Sequence, residues 1–109
     1  MNVRFADQSI RFRVMSDEFE RLLAGKAVAL EVTVFNSRIF RANISASVLG
    51  PWQLDSDPTG LWLSVPREEL KVLAENLPSK EGLEHEFKTN HGDLHVSLEV
   101  DVKAAAYAT

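Results

Sequence analysis

The chain has 109 residues, the length of one domain, and its 45% apolar and 26% charged composition excludes a disordered polypeptide. Asp and Glu (16) outnumber Lys and Arg (12), giving a net charge of −4, so the surface on average repels phosphate and nucleic acid is not the expected partner. The absence of cysteine excludes disulfides, thiolate catalysis and cysteine-ligated zinc, and makes a reducing compartment the simplest setting. The opening MNVRFADQSI puts Asp7 and polar side chains where a signal peptide needs an apolar run, and no segment approaches the ~20 apolar residues of a membrane span. A cytoplasmic protein without a membrane partner is expected.

Alternation of apolar and polar residues dominates the chain and predicts half-buried strands. Val3 and Phe5, then Ile10, Phe12 and Val14, form a first hairpin about an Asp7-Gln8 turn. Ser16 is the expected N-cap of a helix over Asp17 to Ala24, with Phe19, Leu22 and Leu23 on its apolar stripe and Gly25 as its stop. A long second hairpin spans Lys26 to Val48. Pairing Val34 with Phe40 keeps its apolar sets on one face and places the turn at Asn36-Ser37-Arg38. The run GPWQLDSDPTG reads as a turn-rich connection before a strand from Leu61 to Val65. Pro66 then opens a second helix with Leu70, Leu73, Ala74 and Leu77 inward, and Pro78 ends it. In the last hairpin, Leu83, His85 and Phe87 share a face with Leu94 to Val102. Pairing Phe87 with Val96 leaves His91-Gly92 as the turn.

Residues 1–109 therefore form a single α+β domain, with 103–109 as a flexible tail. The expected architecture is a mostly antiparallel, strongly curved or barrel-like sheet of about seven or eight strands with two short helices, in the order ββαββ-βαββ. Strand, helix and hairpin occur twice, and Phe19 and Leu22 align with Leu70 and Leu73, which suggests two similar units.

The polar faces carry the features that need explaining. Arg4 falls opposite Arg11, with Arg13 next along the strand, and like charges directly opposite destabilise a sheet. Glu84, Glu86, Glu99 and Asp101 line the polar face of the last hairpin, where the expected register sets Glu84 against Glu99. Adjacent terminal hairpins sharing a salt-bridge ladder would neutralise both faces. The sharper alternative is a pocket in which Arg4, Ser9, Arg11 and Arg13 bind a carboxylate or phosphate. Glu84-His85-Glu86-Phe87-Lys88 is similar to the E-x-E-x-K signature of triphosphate tunnel enzymes, but three alternating charges are more simply the wet face of a strand. Asp55-Ser56-Asp57-Pro58-Thr59-Gly60 imitates a calcium loop and a D-x-D-x-T motif, and reads better as a Pro-Thr-Gly turn. His85 lies on the apolar face and is expected in the core with one hydrogen-bond partner. His91 falls in a turn and His95 on the opposite face, so no metal site, cofactor or catalytic residue is assigned. On the outer face of the second hairpin, Phe35 beside Ile39 marks a candidate interface for a homodimer or a protein partner, unless a helix or the Trp52/Trp62 connection covers it.

Gln8-Ser9-Ile10-Arg11-Phe12-Arg13-Val14 followed by Ser16-Asp17-Glu18 resembles the opening of a family of short bacterial proteins of unknown function, whose first strand reads N-S-I-R-x-R. Leu61 to Pro66 and Leu94 to Asp101 are similar to later strands of that family. This chain departs from the pattern with Gln8 in place of Asn and with its alanine-rich end. The resemblance implies a bacterial cytoplasmic protein and singles out Ser9, Arg11 and Arg13, but it implies no activity. A non-enzymatic interaction or homo-oligomeric module is the leading expectation, with binding or hydrolysis of a small phosphorylated or carboxylate ligand as the alternative.

Overall fold

The computed structural model describes residues 1–35 and 39–102. In chain order its elements are β1 (Asn2–Ala6), β2 (Ser9–Met15), α1 (Ser16–Leu23), β3 (Val28–Thr33), β4 (Ile39–Ser47), β5 (Gln53–Asp57), β6 (Gly60–Pro66), α2 (Arg67–Glu75), β7 (Leu83–Thr89) and β8 (Gly92–Asp101). The expected turn at Asn36-Ser37-Arg38 and the expected tail at 103–109 lie outside the described residues.

The class is α+β as expected, but the single barrel-like antiparallel sheet is not. The strands form two separate four-stranded sheets, ordered β1-β2-β8-β7 and β3-β4-β6-β5, and both are mixed. Within each sheet two antiparallel hairpins lie side by side, joined through a parallel central pair, β2 with β8 and β4 with β6. Period-two patterning identifies which face of a strand is buried. It is silent on which strand lies beside it and in which direction, so the parallel seams left no mark in the sequence.

β5 is the element that sequence reasoning missed. Its residues, Gln-Leu-Asp-Ser-Asp, contain one apolar side chain, and it is a polar edge strand carried by its pairing with β6. With β5 included, the order is ββαββ twice, and the internal echo becomes a pseudo-twofold. The registers match element by element. Val3 opposite Phe12 corresponds to Leu54 opposite Leu63, and Phe12 beside Leu98 corresponds to Leu63 beside Ile44. In the two second hairpins, Val32 opposite Phe40 corresponds to Phe87 opposite Leu94. Those two registers differ from the expected ones by two residues. Faces are preserved by such a slip, so patterning could not detect it. The last turn accordingly falls at Asn90-His91, and Glu84 faces Ser97 rather than Glu99. Gly92 does adopt positive φ (108°), as a residue without Cβ can.

Each half sends its first hairpin to one sheet and its second hairpin to the other, so the halves interlock. Their inner faces and both helices close one core, with Phe12, Leu22, Ile44, Leu63, Leu70 and Leu98 fully buried. The helices begin differently for a covalent reason. Ser16, expected as the α1 N-cap, is the helix's first residue and its hydroxyl donates to the Asp101 carbonyl instead. Glu18 does the capping work, its Oε1 accepting the Met15 N–H at 2.8 Å while its Oε2 accepts from the Met1 ammonium at 3.1 Å. In the second half the residue equivalent to Met15 is Pro66, which has no N–H to offer. Glu69, the counterpart of Glu18, accepts instead from Trp52 Nε1 at 2.9 Å. α2 stops at Glu75, two residues earlier than expected, where the Asn76 amide folds back to donate to the Val72 carbonyl.

The β4–β6 seam imposes a steric limit at Gly60, where a Cβ would run into the backbone of Arg41. Ser9 occupies the equivalent place in the other seam. Gly60→Ala is therefore expected to lower the unfolding free energy by about 1–3 kcal/mol, while Ser9→Ala stays within about 0.5 kcal/mol, as read by urea denaturation. A Gly60→Ala variant as stable as the parent would show that this seam has room for a Cβ.

Candidate functional site

The outer face of the β1-β2-β8-β7 sheet gathers the charged residues singled out above. Register places Arg4, Arg11, Ser97 and Glu84 in one row across the four strands, and Ser9, His95 and Glu86 in the next. Arg11 does not remain facing Arg4. Its Nε lies 3.0 Å from Glu99 Oε2, and Arg13 lies 3.4 Å from Asp101 Oδ1, each arginine reaching one step along the parallel neighbour. The terminal hairpins are thus neighbours and share an ion-pair ladder. The Arg11–Glu99 contact is a close approach of charges rather than an aligned hydrogen bond, since Glu99 Oε2 accepts none.

Arg4 makes no ion pair among the described residues. It shares a cavity of about 90 Å³ with Asn2, Arg11, Arg13 and Glu99. Ser9 is half-buried on β2, opposite Ala6 and beside His95, and does not line that cavity. The three guanidinium groups thus share one cavity, and two of them are paired with carboxylates, Arg11 with Glu99 and Arg13 with Asp101. The acidic E-x-E-x-K residues are likewise engaged within the sheet. His95 lies 2.5 Å from Glu86 and 3.5 Å from Glu84, and Lys88 pairs with Asp93 at 3.2 Å. In the Asp57-to-Gly60 turn, the Thr59 amide and hydroxyl both donate to Asp57 Oδ1 at 2.6 Å, which holds that carboxyl below its ordinary value. His85, expected in the core with one hydrogen-bond partner, is half-buried, and among the described residues its contacts are ring stacking rather than a side-chain hydrogen bond. The Trp52 ring lies parallel to it at 5.2 Å, and Phe87 meets it edge-on at 4.7 Å.

The apolar surface is the part that alternation concealed. Phe5, Val32 and Phe40 point to the inner faces, where core positions are expected, yet Phe5 is 62% and Val32 49% exposed. With Val3, Leu30 and Ala42 they line a groove of about 110 Å³ between the edge strand β1 of one sheet and β3–β4 of the other. The candidate interface residues lie beyond its end, Phe35 at 87% exposure and Ile39 at 42%. Ile39 faces Thr33, not Phe35 as the expected register would have it. Trp52 covers neither of them, because it is buried against Glu69 and His85.

The pseudo-twofold supplies a comparison within the molecule. The positions equivalent to Leu30, Val32 and Phe5 are His85, Phe87 and Ser56. In that half His85 and Phe87 pack in a ring cluster with Trp52, and in the first half Leu30 and Val32 line the open groove.

The chain belongs to the DUF7009 family, a family of unknown function, whose model matches residues 1–106. No curated protein sequence matches it.

The His95 contacts carry a titration with a definite sign. The hydrogen bond to Glu86 raises the His95 pKa above the usual 6.5, with Glu84 adding a smaller effect of the same sign. The stabilisation that follows is fully present below about pH 6.5 and fades as pH rises through the higher folded value. NMR titration of the three histidines is expected to show His95 above 6.5, with Glu86→Gln drawing it back down. A His95 midpoint unchanged by that substitution would remove Glu86 as the cause.

Proposed function

We propose that this DUF7009 domain is a non-enzymatic interaction module that works by burying the open groove between β1 and β3–β4 against a protein surface. The exposure of Phe5 and Val32 on inner sheet faces carries the reading. Leaving aromatic and branched aliphatic side chains in water forgoes about 1.5–3 kcal/mol for each one that burial would recover. The other half of the same fold packs His85 and Phe87 in a ring cluster at the corresponding positions, so the fold itself does not require the opening. A net charge of −4 favours a protein partner over nucleic acid, and no described helix is long and apolar enough to cross a membrane. The absence of cysteine and the Gln8-to-Val14 resemblance support a bacterial cytoplasmic setting. The alternative, anion binding at Arg4, Arg11 and Arg13, is the weaker reading because Arg11 and Arg13 already have carboxylate partners.

Phe5→Ser tests the module, since the second half already carries Ser56 at that position. The variant is expected to stay folded, within about 1 kcal/mol of the parent by urea denaturation. It should weaken association of the domain, with itself or with a protein partner, at least about tenfold. Association that survives Phe5→Ser at full strength would locate the contact elsewhere and overturn the reading.

A further inference from the structure

We propose that the partner is a second copy of this chain, and that the two copies exchange Phe35 rings, each ring entering the other's groove. This rests on the interaction reading above and names its partner. Phe35 is an exposed knob at 87%, beside the half-exposed Val34. The groove is a matching hole. At about 110 Å³ and lined by Val3, Phe5, Leu30, Val32, Phe40 and Ala42, it is of the same order as the ~150 Å³ apolar cavities that take up benzene.

Knob and hole share one end of the molecule. Val32 and Phe40 form the groove wall nearest the β3–β4 hairpin tip, and Phe35 follows Val32 by three residues, just past the end of β3. A second copy of the chain brings the same exposed ring to the same hole. When both lie near one axis the exchange is reciprocal, which closes a twofold dimer instead of propagating into a filament. The second half shows what removes the need. Phe87 stands where the first half has Val32, and its ring packs edge-on against His85 of the same strand.

The competing dimer, edge-to-edge pairing of two β1 strands, is opposed by charge. Arg4 is the central residue of β1, so a symmetric antiparallel pair would set Arg4 against the partner copy's Arg4, and neither has an ion pair of its own among the described residues. Ring exchange leaves those arginines apart on the outer face.

Light scattering across a concentration series is expected to show a dimer. Phe35→Ala and Val32→Phe should each raise its dissociation constant at least about tenfold while circular dichroism remains native. The first substitution removes the knob and the second plugs the hole, so agreement between them does not depend on either alone. In a mixture of isotope-labelled and unlabelled copies, filtered NOE spectra should connect the Phe35 ring to the methyl groups of Val3 and Val32 across the interface. A monomer at every concentration overturns the proposal, as does a dimer indifferent to Phe35→Ala or lacking those NOEs. A monomer that still binds another protein in a manner sensitive to Phe5→Ser would overturn the second copy alone and leave the module reading standing.

Discussion

The parallel pairing of β2 with β8 and of β4 with β6 is the constraint on which everything else rests. Each half of the chain is a hairpin, a helix and a hairpin, and neither hairpin of a half lies beside the other. A two-stranded hairpin is marginal by itself in water, so each depends on one supplied by the opposite half. The two seams turn four weak hairpins into two four-stranded sheets, and only then do their inner faces and the two helices bury Phe12, Ile44, Leu63 and Leu98 in a common core. The outer-face ion pairs follow from the same seams. Arg11 and Arg13 meet Glu99 and Asp101 because β8 runs alongside β2 in the same direction. Being exposed, those pairs add little stability, and their main effect is to relieve the Arg4–Arg11 opposition.

Within this frame the halves have kept some contacts and changed others. A glutamate in the first turn of each helix accepts a hydrogen bond from outside the helix, but a proline in one half redirects it from a backbone N–H to an indole. A cation on β4 or β8 meets a glutamate across the hairpin in both, as Arg41 with Glu31 and as His95 with Glu86. The change from guanidinium to imidazole moves that contact into the pH range where it can be lost. The largest divergence is between the sheets, where one half is packed with rings and the other is open. Symmetry in the backbone with asymmetry in the side chains isolates the groove as a feature of residue choice rather than of fold.

Much of this was legible from alternation. The inward faces of β2, β4, β6, β7 and β8, the two helices and the register of the first hairpin all follow from period and turn residues. The information ran out where physics is blind to period. Parallel neighbours, two-residue slips and the polar edge strand β5 leave the apolar pattern unchanged. The candidate site was legible in part. Reading Arg4, Arg11 and Arg13 as an electrostatic problem located the ladder that solves most of it, and Phe35 and Ile39 stood out as apolar residues on a polar face. Phe5 and Val32 did not, because alternation assigns a face and says nothing about whether that face is covered at a given point. Coverage depends on how far the opposing sheet reaches, which is a tertiary property.

The order in which the strands emerge from synthesis also differs between the sheets. β3, β4, β5 and β6 are contiguous, so their sheet is complete in the growing chain once Pro66 has appeared. β1 and β2, made first, join β8, the last strand described. Contacts of such long separation form slowly because the intervening loop entropy is lost before they contribute. The hairpin β1–β2, with Phe5, Ile10 and Phe12 uncovered, waits for its permanent neighbour until all the other described strands have been made. During that interval it is the segment most open to chaperones and to mispairing between nascent chains.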